Sequence, residues 1–412
     1  MKWFTAYLVL FLFSIMADAK IKKAPMHLDL EATSKMYQRE LTRRPMFTKF
    51  NLSPADRDIE VIIAIGKRNL DWLIFINQHL ETPISFTKPG SLTGIPITEP
   101  KKYSGNLTLQ RYQEFLKTLP AEMKEVLVDG KPFTPSPPVE VETYLKLGNE
   151  MDKIYQTATR WKLMQPYLDY YSQNRQNDIR GYYFLKDIPD LDSKLTNFAT
   201  LPDEEREKIR TWLVNICFNT WADETTCKIE LSIAESQSLV DFKNLYIGRS
   251  AGVFNEYYKI QNPRPELVWT SENPLLATLP FKIPGIAAIQ DFLAFNIEDE
   301  WKWNDWQFKL DFREEADVHV DFQPGVTPHV NELGGNSIVM DSNSPLTEWD
   351  VQWTIRHEFG HVLGLPDCYV EFYDKDEGVM INYQIDTSDM MCSRMGKMNQ
   401  RIYDEMKVHY LK

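Results

Sequence analysis

Residues 357–367 read HEFGHVLGLPD and contain side chains that could bind and use a metal ion. His357 and His361 are four positions apart, so on a helix they lie on one face and can bind the same ion. Glu358 stands next to the first histidine, where its carboxylate can handle the proton of a water molecule bound to that ion. The spacing therefore predicts a metal site on a helix, with hydrolysis as its chemistry.

Asp367 is the candidate third ligand. Gly364 can adopt the left-handed conformation that ends a helix, and Pro366 stiffens the chain as it turns back towards the ion. Zn²⁺ accepts imidazole nitrogen and carboxylate oxygen alike, and a catalytic zinc site keeps three protein ligands plus water. Glu371 and Asp374 are alternative third ligands. A helix whose histidines bind nothing and a structural zinc site, which would need a fourth protein ligand, are the alternatives to a catalytic site.

The elements around this segment must hold the two histidines and the third ligand together. Thr347 and Asp350 have capping-box-like spacing, with Asp in place of the usual Glu or Gln, and predict a helix that runs to Gly364. Alternating apolar and polar residues predict three strands upstream, at 306–312, 316–322 and 336–342. A helix is predicted before them, within residues 285–303. This order of elements indicates an α+β fold.

Residues 20–261 have a mostly helical pattern and carry no recognisable catalytic constellation. One helix is predicted to start at Pro54 with Ser53 as its N-cap, and another covers 107–119 with Thr108 as its cap. Further helices are predicted at 139–164 and 201–222. The two prolines of QNPRPE, residues 261–266, interrupt the pattern. We therefore predict a boundary between an N-terminal helical region, 20–261, and a C-terminal region, 262–412.

The composition and the N-terminus indicate an exported globular protein. Of the 412 residues, 43% are hydrophobic, and the net charge of −13 argues against a nucleic-acid partner, which would require clustered Lys and Arg. Residues 1–19 contain Lys2, an apolar stretch and an Ala-Asp-Ala cleavage site, as in a signal peptide. A membrane-anchoring helix is the alternative, but the apolar stretch is shorter than the ~20 residues of a typical span. We expect secretion, or export to the periplasm of a Gram-negative bacterium, with no membrane span after cleavage.

The sequence has four cysteines, an even number that in an exported chain favours disulfides over free thiols. Four cysteines allow three pairings. Proximity along the chain favours Cys217–Cys227 and Cys368–Cys392, with unpaired buried thiols as the alternative.

The motif HEFGHVLGLPD resembles that of the metzincin zinc peptidases, in the snapalysin-like form H-E-x-x-H-x-x-G-x-x-D. These enzymes also have a methionine in a tight turn beneath the metal. TSDMMCS, residues 387–393, supplies one, and Met391 fits better than Met390 because small residues follow it. The predicted strands and NQRIYDEMKVHYL resemble the family's sheet and its C-terminal helix. The resemblance covers roughly residues 265–412, and nothing is recognised in 20–260.

The resemblance implies an exported zinc endopeptidase that acts on a protein or peptide substrate. One Zn²⁺ would be held by His357, His361 and Asp367, and a zinc-activated water would attack the scissile carbonyl. Glu358 would act as the general base. The fold would combine a twisted sheet with the metal-binding helix and a C-terminal helix, and the chain would be a monomer.

Two positions depart from the commonest pattern of the family. The usual third ligand is histidine, and a negatively charged aspartate should make the metal polarise its bound water somewhat less. Some metzincins have a tyrosine two residues after the turn methionine that stabilises the transition state, whereas this chain has Ser393. No transition-state-stabilising side chain is therefore assigned from the sequence.

The segment after the motif is acidic. A Cys368–Cys392 bridge would pin the loop 369–390, which otherwise hangs free of the helix. DKDEG, residues 374–378, resembles a fragment of a calcium loop but lacks the other oxygen ligands, so we favour a solvated acidic loop over a calcium site. Its acidic residues are Glu371, Asp374, Asp376, Glu377, Asp386 and Asp389.

Two alternatives to an active peptidase remain open from the sequence. The chain could be a catalytically silent zinc-binding protein, or an interaction scaffold in which the N-terminal helical region is the functional part. That region could itself be a removable pro-segment that covers the cleft or a permanent accessory domain.

Overall fold

A computed structural model of the chain describes residues 54–87, 93–220 and 223–412. The predicted signal peptide and Ser53 lie outside these ranges. The described residues between 54 and 283, together with Asp291–Lys412, form one compact unit, and residues 284–290 are not part of it. The predicted boundary at 261/262 therefore falls inside a compact unit. No described helix is long and apolar enough to cross a membrane.

The described part of the N-terminal helical region contains ten α-helices and one short strand. They are α1 (Pro54–Asn77), β1 (Lys101–Tyr103), α2 (Gly105–Thr118), α3 (Ala121–Leu127), α4 (Val141–Met164), α5 (Leu168–Gln173), α6 (Arg180–Leu185), α7 (Leu191–Thr196), α8 (Asp203–Phe218), α9 (Glu224–Glu235) and α10 (Leu239–Glu256). The predicted helices at 54, 107–119, 139–164 and 201–222 are confirmed to within a few residues. The helical character of this region was readable because apolar residues recur at helical spacing.

The cap of α2 differs from the prediction. Ser104 is in an extended conformation, and its hydroxyl accepts a hydrogen bond from the Leu107 N–H at 3.2 Å. Thr108, the predicted cap, lies within the first turn and donates its hydroxyl to the Ser104 carbonyl at 2.7 Å. The prediction was wrong because Ser and Thr both suit a helix start, and only the backbone conformation distinguishes a cap from a first-turn residue.

Two apolar clusters support the N-terminal helices. In the first, α1, α2 and α4 surround Trp72 and Tyr144, whose rings are 5.2 Å apart, and Met380 of the C-terminal region joins this core. In the second, α8, α9 and α10 pack together around a core that contains Cys217 and Cys227. These two cysteines are bonded, as predicted, with their Cα atoms 5.8 Å apart.

The C-terminal region is mixed helix and strand, which confirms the α+β prediction at that level. Its elements are β2 (Val268–Thr270), β3 (Asn273–Lys282), α11 (Ala287–Leu293), β4 (Lys302–Trp303), β5 (Trp306–Arg313), β6 (His319–Gln323), β7 (His329–Val330), β8 (Ser337–Asp341), α12 (Trp349–Val362), β9 (Tyr369–Asp374), β10 (Val379–Gln384) and α13 (Gln400–Tyr410). A π-helical turn, Ala294–Glu298, continues α11.

The strands form three small sheets. One has the order β2-β3-β5-β4, with β3 and β5 parallel, and a second has the order β6-β8-β7, with β6 and β8 parallel. The three predicted strands correspond to β5, β6 and β8. The third sheet has the order β1-β10-β9, all antiparallel, so a strand of the N-terminal helical region pairs with the hairpin that follows the HEFGHVLGLPD motif.

The prediction of a free, solvated loop at 369–390 was wrong for most of its length. Residues 369–384 form the β9–β10 hairpin, and Asp374 and Asp389 are buried. The Glu371 carboxylate is only 6% exposed and pairs with Arg160. Charged side chains usually face solvent, and burial of Glu371 is tolerable because Arg160, far away in sequence, pairs with it. Of the acidic residues predicted to be solvated, three are exposed: Asp376, Glu377 and Asp386.

The helix that carries the motif, α12, starts later than predicted. It begins at Trp349 with Glu348 as its N-cap, so the Thr347–Asp350 capping box does not form. Glu348 is 4% exposed, and its carboxylate accepts the backbone N–H groups of Phe86 and Thr87 at 2.9 and 3.1 Å. The start of α12 is therefore fixed by a segment of the N-terminal helical region more than two hundred residues away in sequence.

Candidate metal centre

His357, His361 and Asp367 converge on one point. The Nε2 atoms of the two histidines lie 3.0 and 3.2 Å from the same carboxylate oxygen, Oδ1 of Asp367. Both histidines are buried, whereas the Asp367 side chain is 35% exposed, so the point of convergence is open on one side. The structure thus brings together the three side chains that the sequence nominated as ligands.

Backbone carbonyls set the orientation of both imidazole rings. Nδ1 of His357 hydrogen-bonds to the Met390 carbonyl and Nδ1 of His361 to the Leu365 carbonyl, each at 2.8 Å. A carbonyl oxygen only accepts, so each Nδ1 carries a proton, and in the neutral ring Nε2 keeps its lone pair. Such a partner is the usual support for a metal-ligating histidine. Both Nε2 atoms are thereby directed at the Asp367 carboxylate.

Gly364 makes the turn from α12 to Asp367. Its φ is +81°, and a Cβ at this position would lie 2.1 Å from the Gln261 carbonyl oxygen. The Gln261 N–H in turn donates to the Gly364 carbonyl at 2.7 Å. Only glycine satisfies both the left-handed backbone and the close approach. The predicted helix end is confirmed.

The donor set fits a zinc ion. Ligand atoms about 2.0–2.2 Å from a tetrahedral zinc are separated from one another by roughly 3.3–3.5 Å. The separations of 3.0 and 3.2 Å between Asp367 and the two histidines are close to that spacing. Two imidazoles and one carboxylate are also the composition of known catalytic zinc sites, which leave one position for water or substrate.

Opposite charges meet at these same atoms. Burial by itself lowers the pKa of His361, but the adjacent Asp367 carboxylate outweighs it and raises that pKa to about 9. Burial by itself raises the pKa of Asp367, but the charge and hydrogen bonds of the two histidines hold it well below its usual range. A proton and a metal cation therefore compete for the same imidazole lone pair.

Glu358 is 6% exposed, and its Oε2 is buried without a hydrogen-bond partner among the described residues. A buried carboxylate oxygen without a partner costs free energy, so native proteins rarely retain one without a use for it. The residue lies beside His357 on α12. Glu358, the proton acceptor nominated from the sequence, therefore keeps one carboxylate oxygen without a partner among the described residues.

The methionine-containing turn packs directly against α12. A Cβ on Gly360 would lie 2.2 Å from the Met391 sulfur, so the side chain of Met391 occupies the space left by this glycine. The Met390 carbonyl hydrogen-bonds to Nδ1 of His357. The two methionines therefore have different roles, and Met391, predicted from the sequence, is the one whose side chain faces the helix beneath the histidines.

Three contacts hold this turn in place. Cys392 is bonded to Cys368, as predicted, with Cα atoms 4.2 Å apart. The Met391 N–H donates to the carboxylate of Asp389 at 2.8 Å, and Asp389 also forms an ion pair with Arg401 of α13. Asp389 is fully buried, so its charge serves the turn and is not solvated.

The alternative third ligands lie away from the histidines. Glu371 is engaged by Arg160, and Asp374 accepts the N–H groups of Asp376 and Glu377 at 3.0 and 3.1 Å, which caps the β9–β10 turn. Among the described residues, the other group with metal-ligating spacing is Cys368, Asp389 and Cys392, whose cysteines form a disulfide.

Tyr369 and Arg160 adjoin the site and were not nominated from the sequence. The Tyr369 ring stacks on His357, with centroids 6.5 Å apart and an angle of 27° between the planes. Arg160 of α4 lies over the Tyr369 ring, with its guanidinium carbon 5.8 Å from the ring centroid. The position of Tyr369, two residues after Asp367, was a usable signal, whereas nothing in the sequence links Arg160 to this site.

Comparison of the chain with protein-family models, with curated proteins and with solved structures gives no match.

Proposed function

We propose that this protein is a zinc-dependent endopeptidase whose metal is held by His357, His361 and Asp367. The observation that carries the proposal is the convergence of both Nε2 atoms on one Asp367 oxygen at 3.0 and 3.2 Å. The buried, unpartnered Oε2 of Glu358, the residue after His357, supports hydrolysis over a purely structural site. A structural zinc would also need a fourth protein ligand, and no fourth His, Cys, Asp or Glu joins this group among the described residues.

Each residue of the site has a defined task in this proposal. A zinc ion bound there supplies a Lewis acid for the scissile carbonyl and lowers the pKa of water towards neutrality. Glu358 takes a proton from the attacking water and delivers it to the departing amine. The hydrogen bonds from each Nδ1 to a backbone carbonyl keep the imidazoles in the tautomer whose Nε2 binds metal.

We further propose that residues 262–412 are a metzincin-like catalytic region. Met391 beneath α12, the turn at Gly364, the parallel strand pairs and the closing helix α13 support this assignment. Two disulfides suit an oxidising environment, so we propose that the protein is secreted.

The test combines metal analysis with a peptidase assay on the purified mature protein. We expect about one zinc per chain, cleavage of a denatured protein substrate, and loss of cleavage on chelation that returns when zinc is added. Glu358→Gln should retain zinc and lose activity by several orders of magnitude, because the proton acceptor is gone. The exposed Glu377→Gln provides the matched control and should behave as the wild type.

Two outcomes contradict the proposal in different ways. Zinc bound at one per chain without turnover of any peptide would favour a catalytically silent zinc-binding protein. Protein purified without chelators that contains no zinc, or Asp367→Ala that binds zinc as tightly as the wild type, would refute the metal site itself.

A further inference from the structure

We infer that the Cys368–Cys392 disulfide is a positioning element of the metal centre, which holds Asp367 at the two histidines before any metal binds. The inference rests on the proposed function and extends it from the ligands to the bond that places one of them. It follows from the contacts of Cys368 and from those of the turn that contains Cys392.

Asp367 lies between two points at which the backbone is anchored. On its N-terminal side, Leu365 is hydrogen-bonded to α12 through both its N–H and its carbonyl. Pro366 follows and has no N–H to donate. On the C-terminal side the anchor is Cys368. Because the Asp367 side chain is 35% exposed, packing alone does not hold it, and these two anchors determine how closely its carboxylate approaches the histidines.

Three bonds anchor Cys368. Its N–H donates to the Met391 carbonyl at 3.0 Å, and its carbonyl accepts the Ile385 N–H at 3.1 Å. Its sulfur is bonded to that of Cys392. Of these three bonds only the disulfide is covalent, so it persists when the hydrogen bonds open.

The turn that contains Cys392 is itself held against α12. The Met390 carbonyl accepts a hydrogen bond from Nδ1 of His357, and the Met391 sulfur lies against the helix between the two histidines. Asp389 is fully buried and ties the turn to α13 through an ion pair. One turn therefore contacts the first histidine, the helix and, through the disulfide, the residue after the third ligand.

The disulfide also separates Asp367 from the motions of the β9–β10 hairpin. The hairpin begins at Tyr369, two residues after the ligand, and its tip carries the exposed residues Asp376 and Glu377. The bridge closes the chain from 368 to 392 at the base of this hairpin. A closed segment has less conformational freedom, so the carboxylate is ordered before the metal binds and this ordering does not weaken the binding.

The first experiment measures the zinc affinity of the full-length mature protein by competition with a chromophoric chelator, and it needs no activity. Cys368→Ala/Cys392→Ala removes the bridge and leaves no free thiol that could itself bind zinc. We expect its zinc affinity to fall by roughly 10–100-fold, the usual effect of losing a group that orients a metal ligand.

The matched control is Cys217→Ala/Cys227→Ala. It removes the other buried disulfide, which lies in the core formed by α8, α9 and α10 and contacts no ligand. We expect this variant to bind zinc as the wild type does. Equal losses of affinity in the two variants would overturn the inference, as would no loss in either.

The second experiment distinguishes the positioning of Asp367 from general support of the fold. Cys368→Ala/Cys392→Ala is added to Asp367→Ala, and the zinc affinities of the four proteins form a double-mutant cycle. If the bridge acts through Asp367, its removal should cause no further loss once the carboxylate is gone. The same fold-loss with and without Asp367 would show that the bridge supports only the histidines or the fold, and the inference would be refuted.

Cys368→Val/Cys392→Ala serves if the alanine pair does not fold by circular dichroism, because valine fills part of the space left by the two sulfurs. We expect this variant to melt closer to the wild type and to show the same loss of zinc affinity. Recovery of zinc affinity together with the melting temperature would overturn the inference, since stability and not position would then be the cause. A wild type that binds no zinc would instead refute the proposed metal centre, a result distinct from equal zinc binding with and without the bridge.

Discussion

Replacement of Asp152 by asparagine should change how the stability of this protein depends on pH. Asp152 is a buried residue of α4, 7% exposed, and faces the start of α12. The side-chain amide of Gln156 donates to Asp152 at 2.6 Å and to Asp350 at 3.0 Å, so the two carboxylates share one donor. Glu348 and Arg394 are the other charged groups that act on Asp152, the first unfavourably and the second favourably for its ionisation.

The magnitude follows from the pKa of Asp152. Burial, followed by the charges of Asp350 and Glu348, raises this pKa from 3.8 to about 8. The folded protein therefore holds a proton that the unfolded chain releases above about pH 4. The stability due to this proton is fully present below pH 4 and is lost as the pH rises towards 8. One proton corresponds to about 1.4 kcal/mol per pH unit, so roughly 3–4 kcal/mol should be lost between pH 5 and pH 8.

Asparagine has nearly the same shape and does not ionise, so the variant should lack this loss. Its carbonyl oxygen can accept the Gln156 amide, and its own amide can donate to Asp350. We expect Asp152→Asn to be more stable than the wild type at pH 8 and similar to it at pH 5. Urea unfolding followed by tryptophan fluorescence at several pH values measures the difference. Asp376→Asn, at an exposed position, is the control for loss of one charge.

The reasoning is refuted if the wild type and Asp152→Asn lose stability in parallel between pH 5 and 8. In that case the folded protein would not hold a proton on this carboxylate.

Two further predictions concern the packing of Met391 against α12 and the dependence of residues 262–412 on the N-terminal helical region. Gly360→Ala should lower the free energy of unfolding by about 1–3 kcal/mol, because the new methyl group would overlap the Met391 sulfur, whose distance to a Cβ is 2.2 Å. Gly252 is a helical glycine with open space around it, so Gly252→Ala should be neutral or stabilising by up to about 1 kcal/mol. Equal urea midpoints for the two variants would contradict the packing argument. A fragment of residues 262–412 should fail to fold alone, because it lacks three contacts from the N-terminal helical region. β1 pairs with β10, Thr87 donates to the N-cap of α12, and Arg160 pairs with Glu371 of the β9–β10 hairpin. A soluble 262–412 fragment with native circular dichroism and bound zinc would show that the N-terminal helical region is dispensable and would favour a removable pro-segment.

The sequence by itself determined the local part of the site. His357 and His361 lie on one face because a helix repeats every 3.6 residues, and Gly364 ends that helix because only glycine readily takes a φ of +81°. The strands β5 and β8 followed from alternating apolar residues. The two disulfides followed from proximity along the chain, since each pair lies within 24 positions.

Only the tertiary structure decided what surrounds these local features. Glu371 looked like part of a solvated loop because a charged side chain avoids burial unless a partner is present. Its partner, Arg160, is 211 residues away, and no pattern near either residue encodes the pair. The same holds for Glu348, which replaced the predicted cap of α12 because the Phe86 and Thr87 amides, about 260 residues away, hold its carboxylate. The repeat of apolar residues along the sequence predicts contacts within one helix or strand, whereas contacts between distant segments depend on how whole elements pack. The sequence alone therefore nominated His357, His361 and Asp367 as candidate ligands, and only the packing of the N-terminal helices against β9 and α12 brought Arg160 close to them.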